Sequence, residues 1–201
     1  MIKNLKTIFI IIYIVFVFQN YIKAEEFFFE SGEVIILDEG KRLYSDLGVK
    51  VTTSDNIKIT ADKFDYNKMT SKLILEGNVI IYDLDNEAEI ETNKIHYFKK
   101  LEEIKTFGET KIFIKDNYEI RSKNITFLRN KKQIFSDNKT HVIDNYNNNF
   151  ISENFLFLIS DEIFKGKNVT FKDNLNNISK FDVYYSNHPK HGKIYPRKDL
   201  K

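Results

Sequence analysis

Cysteine is absent from the 201 residues. No disulfide therefore reinforces the fold, and no thiol is present to serve as a nucleophile. Proline occurs twice, at Pro189 and Pro196, both in the closing stretch "SNHPKHGKIYPRKDLK"; residues 184–201 read as a flexible tail. Charge of one sign is also missing: 31 Lys and Arg stand interspersed with 29 Asp and Glu, for a net charge of +2. No basic stripe marks a nucleic-acid track, and nucleic acid is excluded as a partner. Helix-period stretches do not occur beyond the first 24 residues. There is no G-x-S-x-G elbow, no H-E-x-x-H pair and no Walker glycine loop, which argues for a non-enzymatic protein without a cofactor.

Long apolar runs are limited to one. "MIKNLK" supplies two positive charges, Ile8 to Phe18 is uninterrupted and apolar, and "YIKA" puts Ala24 where a signal peptidase prefers a small residue. The run is well short of the roughly 20 residues a membrane span needs. The expectation is a signal peptide over 1–24, cleaved after Ala24, in preference to a retained membrane anchor. The rest is 42% hydrophobic and 30% charged over the whole chain, one domain's worth of residues with enough apolar side chains for a core, placed at 25–183.

What the chain has in quantity is repetition. "IKITADKFDY" presents Ile57, Ile59 and Ala61, then Phe64 and Tyr66; "AEIETNKIHY" presents Ala88, Ile90 and Thr92, then Ile95 and Tyr97. "YEIRSKNITF" follows with Tyr118, Ile120, Ser122, Ile125 and Phe127, and "NFISENFLF" with Phe150, Ser152, Phe155 and Phe157. The aromatic column Tyr66, Tyr97, Phe127, Phe157 advances by 31, 30 and 30 residues. A regular period of that length indicates stacked units, each covering its neighbour's core.

Within each unit apolar and polar residues alternate, as strands with one buried face require. After the small residue (Ala61, Thr92, Ser122, Ser152) two polar residues intervene and the apolar pair resumes on the other parity. Such a slip turns later side chains to the opposite face unless the backbone bends, so a corner with a small side chain inside it is expected once per unit. A further short strand follows (Leu73 and Leu75, Ile104 and Thr106, Ile134 and Ser136), running into Gly77, Gly108 or Asn138; in the first unit Leu47 stands where glycine is expected. Those positions suit a turn with positive φ. A half unit, "FFFESGEVIILDEGKRLYSD", and a degenerate one, "NVTFKDNLNNISKFDVYY", cap the array. The fold derived is all-β: stacked, bent antiparallel strands with an inside.

The array "GVKVTTSDNIKITADKFDYNKMTSKLILEGNVIIYD" resembles the OstA-like family of lipopolysaccharide transport proteins, whose hallmark is "GNV" and a short I-x-I-x-A-D-x-x-x-Y strand pair. The likeness covers about Phe27 to Phe171, and is greatest to the N-terminal periplasmic domain of LptD, then to LptA. It implies an open, bent β-jellyroll (β-taco) that carries lipopolysaccharide across the periplasm to the outer membrane and stacks edge to edge with other Lpt-type jellyroll domains. An outer-membrane barrel is the implied final partner, although nothing barrel-sized follows in this sequence and the cysteines some LptD proteins use are absent.

On that reading, Ile57, Ile59, Phe64, Tyr66, Ile90, Ile95, Tyr97, Ile120, Ile125 and Phe127 line an apolar groove for lipid. Each CH₂ of an acyl chain entering it gains roughly 0.8 kcal/mol, without directional contacts that would hinder sliding. Phe27, Phe28 and Phe29 mark the first edge strand, expected to expose three phenylalanines and to pair with a partner domain. No nucleotide site exists to drive transport, so the energy comes from a partner.

Other motifs read as structure. His96 lies on the solvent-facing parity, His141 in a polar strand, and His188 and His191 in the tail; no metal site is expected. "DLDNE" from Asp83 lacks the central glycine of a calcium loop and reads as a strand connection. Lys41 and Arg42 read as solvated surface. The rivals are an adhesive or structural β-solenoid with a closed, dry core; a hydrolase on a β-helix, which needs clustered carboxylates; and an inner-membrane-anchored relative such as LptC, which differs in keeping its N-terminus.

Overall fold

The alternation is realised as antiparallel strands in the computed structural model, which describes residues 27–115 and 117–187. The signal segment 1–24 and the end of the tail, with both prolines, His188 and His191, lie outside the described residues. In chain order the strands are β1 (Phe28–Glu30), β2 (Ile35–Leu37), β3 (Arg42–Ser45), β4 (Val49–Thr52), β5 (Ile57–Ala61), β6 (Lys63–Asn67), β7 (Lys72–Asp83), β8 (Ala88–Phe98) and β9 (Glu103–Thr106). They continue as β10 (Glu109–Ile114), β11 (Tyr118–Lys123), β12 (Thr126–Leu128), β13 (Gln133–Ser136), β14 (Thr140–Asp144), β15 (Asn149–Ser152), β16 (Asn154–Leu158), β17 (Ile163–Lys172) and β18 (Ile178–Asn187). Among the described residues there is no α-helix, and no helix long and apolar enough to cross a membrane.

Each pass of the chain is a V. Limb I runs β1–β4–β5, the later part of β7, the earlier part of β8, then β10–β11–β14–β15 and the later part of β17. Limb II runs β2–β3–β6, the earlier part of β7, the later part of β8, then β9–β12–β13–β16 and the earlier part of β17. β18 closes both limbs by pairing along β17. The result is a β-jellyroll of stacked, bent antiparallel strands, with the limbs continuous at the corner and separate at their tips.

The corner falls where the parity slips. Ile57, Ile59 and Ala61 on one side of it and Phe64 and Tyr66 on the other are all buried, because the bend turns both parities inward. Small hydroxyl residues fill its inside: Thr110 donates to Thr106 at 2.7 Å, Thr106 accepts from the Ile125 amide at 2.8 Å, and Thr140 donates to Ser122 at 2.8 Å. These bonds satisfy polar groups that the limbs seal from water.

Left-handed backbone appears at the corner at Gly48, Gly77 and Gly108, and at Asn78, Asn124 and Asn168. The first-unit glycine is therefore Gly48, one residue after the expected Leu47, which is exposed. Asn138 does not have positive φ; it works through its side chain, donating to the Lys123 carbonyl at 3.2 Å. In β7 the register shifts between Glu76 and Val79, a bulge that carries one strand round the bend.

Candidate lipid-binding groove

The inner faces of the limbs form one contiguous apolar cluster. All ten residues expected to line the groove lie in it, with relative exposures of 0–7%. Rings from opposite limbs meet inside: Phe29 of β1 stacks on Phe64 of β6 with centroids 4.7 Å apart, Tyr118 of β11 meets Phe157 of β16 at 5.1 Å, and Phe150 of β15 meets Phe164 of β17 at 5.7 Å.

The phenylalanines of the first edge part company. Phe27 is 3% exposed and packs edge-on against Tyr66 and Tyr97 at 5.0 and 5.5 Å, while Phe29 lies on Phe64. Only Phe28 faces out, at 50%, so the expectation of three exposed rings is corrected by ordinary strand alternation. The strand does form an edge: among the described residues β1 pairs with β4 alone and β2 with β3 alone. Val34 and Ile35 to Leu37 add exposed apolar surface along β2.

The limb tips carry a feature that motif reading missed. Successive turns of limb II are tied by backbone bonds from Lys68 to Lys41 at 2.9 Å, Lys99 to Ser71 at 3.1 Å, Arg129 to Glu102 at 2.9 Å and Ile159 to Lys132 at 2.9 Å. This ladder stacks residues 68, 99, 129 and 159 in one column, two places beyond the aromatic column. From it Arg129 and Lys99 reach across the mouth to limb I. Arg129 donates from Nε to Asp83 at 2.6 Å, and from Nη1 to Tyr97 Oη at 3.2 Å and to Asp55 and Glu102. Lys99 Nζ donates to Asp55 at 2.7 Å and to Glu102 at 2.6 Å.

Asp83 is held from its own side as well, accepting from the backbone and side chain of Asn86 at 3.1 and 2.9 Å, which makes "DLDNE" the strand connection expected. The Arg129 and Asp83 side chains are 4% and 0% exposed. Burial disfavours the charged guanidinium, but the hydrogen bond and charge of Asp83, with Tyr97 and Asp55, more than offset it and raise its pKa. Burial likewise pushes the Asp55 carboxyl up, yet hydrogen bonds from Lys99, Thr53 and Arg129 hold it well below the usual carboxylate range. The Tyr97 phenol is driven upward, chiefly by burial. One sequence signal pointed here: Asp83 continues the inward parity of Val79 and Ile81.

The surface residues behave as read. Arg42 pairs with Asp65 on the outside of limb II, His96 rests against Phe107 with centroids 4.4 Å apart, and His141 shares a 2.9 Å hydrogen bond with Asn149.

A family model described as "Lipopolysaccharide-assembly, LptC-related" matches residues 18–141. The chain belongs to that family. This places it in lipopolysaccharide assembly, the process its repeats implied, on an LptC-related branch where the pattern was nearest to LptD and LptA. Among solved structures it is similar to LptH, the LptA-homologous periplasmic component of the lipopolysaccharide transport device of Pseudomonas aeruginosa, at 12% identity and a TM-score of 0.46, over 71% of this chain and 92% of that one. No curated protein sequence matches this LptC-related chain.

Proposed function

We propose that this LptC-related protein is a non-enzymatic periplasmic module that conveys lipopolysaccharide toward the outer membrane, its acyl chains held between the two limbs. The observation that carries the reading is the inner face: apolar residues from every full repeat form one continuous strip, and no backbone ladder joins the limb tips across it among the described residues. Acyl chains replace the contacts each limb makes with the other, so apolar surface exposed by parting the limbs is covered again at roughly 25 cal/mol per Å². Contacts of that kind are non-directional and let a chain advance from one layer to the next.

Partners are other Lpt-type jellyroll domains, added along the unpaired edges of β1 and β2 with Phe28 at the junction. An outer-membrane barrel of the LptD kind is the eventual acceptor. Export by the N-terminal segment with cleavage after Ala24 puts the module in the periplasm; intact mass of the mature protein distinguishes this from an anchored, LptC-like topology, in which the segment is retained.

The deciding experiment is photocrosslinking in a lipopolysaccharide-producing host, with the probe at Ile90, Tyr97 or Ile120 and outward controls at Glu89 and Glu91. Adducts from the inward set alone are expected. Adducts from neither set support a structural array with a dry core, and equal labelling of both removes the groove from the account.

A further inference from the structure

We propose that the cluster of Arg129, Lys99, Asp55, Asp83 and Glu102 is an electrostatic latch that holds the mouth of the groove shut and sets how readily the limbs part. The inference rests on the lipid-carrier reading for its purpose, though not for its mechanics.

Three observations converge on it. The first is position. Asp83 ends β7 and Asp55 lies in the β4–β5 turn, both at the tip of limb I; Lys99, Glu102 and Arg129 lie in the turns at the tip of limb II. The cluster therefore joins the two edges that separate when the V opens. A second ion pair, Lys115 of the limb I tip with Glu162 of the limb II tip at 3.5 Å, continues the seam further along the stack.

The second is the hinge opposite. Limb I and limb II meet at a line of interrupted strands, with left-handed residues at Gly48, Gly77, Gly108, Asn124 and Asn168. Within a limb the layers are tied by strand ladders, so rotation about the corner breaks side-chain contacts and leaves the backbone pairing whole.

The third is incomplete satisfaction. Three carboxylates share two cations, and Asp55 Oδ1 and Asn86 Oδ1 are buried without a hydrogen-bond partner. A buried polar network with orphaned members is held closed against the hydration its groups gain on opening. A surface cleft of about 440 Å³, bordered by Asp85, Asn130 and Lys132 as well as the cluster, already brings solvent to its outer side. Removing one partner therefore leaves buried charge whose cheapest relief is to open the mouth. Interior apolar contacts such as Phe29 with Phe64 still favour closure, so the latch tunes an equilibrium and does not act alone.

The absence of native cysteine makes the test direct. Leu84, 55% exposed at the limb I tip, and Leu101, 61% exposed at the limb II tip, are replaced by cysteine and spin-labelled. Their separation is measured by pulsed electron resonance in the parent, Arg129→Gln, Asp55→Asn and the outer-face control Arg121→Gln. Asp55→Asn is the milder change and carries the test if Arg129→Gln does not fold. Expected are longer, broader distances in the two latch variants alone, with apparent binding of lipopolysaccharide and of N-phenyl-1-naphthylamine about tenfold tighter as the open fraction rises. Unchanged distances in folded latch variants overturn the latch, even if the parent binds lipopolysaccharide. Widened distances without uptake of either amphiphile by any variant uphold the latch and overturn the carrier reading.

Discussion

Arg129 and Asp83, 46 residues apart in sequence, meet across the mouth of the molecule with Nε 2.6 Å from Oδ2 and both side chains almost wholly out of solvent. The pair is the innermost contact between limb tips in a protein whose limbs share backbone only at the corner. A buried pair of this kind is weak evidence of net stabilisation, but leaving one member alone is costly.

Arg129→Met is accordingly expected to lose about 3–5 kcal/mol of stability, since Asp83 is left charged and buried. The double variant with Asp83→Asn should recover a substantial part of that loss. Urea denaturation of the four proteins of the cycle measures it; additive losses mean that the two side chains are not coupled.

Acid should act through Asp55. Its folded pKa is depressed by Lys99, Thr53 and Arg129 against the opposing effect of burial. Stability from such a group is complete above the unfolded pKa of about 3.9 and drains away as pH falls from there toward the folded value. Thermal midpoints should thus fall below about pH 4 in the parent and less steeply in Asp55→Asn. Parallel acid limbs for the two proteins would exclude this carboxylate from the response.

At the corner, Gly77 and Gly108 share positive φ but not surroundings. A Cβ on Gly77 lies 2.8 Å from Asp62 Cβ, whereas one on Gly108 meets nothing within 4 Å. Both alanine variants incur about 1–2 kcal/mol for the left-handed backbone; Gly77→Ala is expected to lose about 1–3 kcal/mol more through the overlap. Equal denaturation midpoints for the two contradict the corner geometry.

Phe27 and Phe28 are neighbours with opposite duties. Phe27→Ala removes a ring packed on Tyr66 and Tyr97 and should cost about 3–5 kcal/mol. Phe28→Ala should change stability by less than about 0.5 kcal/mol and weaken capture of an LptA-type jellyroll domain in a pull-down. Retained capture would move the partner surface away from β1.

Much of this architecture is legible in the chain because it is local. Period-two alternation sets which side chains share a face, and the slip after Ala61, Thr92, Ser122 and Ser152 marks the bend within a few residues. The 30-residue aromatic column then puts Tyr66, Tyr97, Phe127 and Phe157 in successive layers. Reading failed by one residue at Leu47, because glycine spacing says less than the backbone angle at Gly48, and it failed at "FFF", where a run of identical residues hides its own alternation.

The sequence by itself determined the strands, their faces, the corner and the family, since each follows from neighbours in the chain or from a repeat visible along it. The closing of the mouth was decided by tertiary structure alone. Asp55, Asp83, Lys99, Glu102 and Arg129 span 74 residues, look like scattered surface charge in a balanced composition, and acquire their burial and pairing only when limb tips from different repeats are stacked and brought face to face. Contact between limbs depends on the sum of many long-range packing terms, and no local pattern encodes that sum.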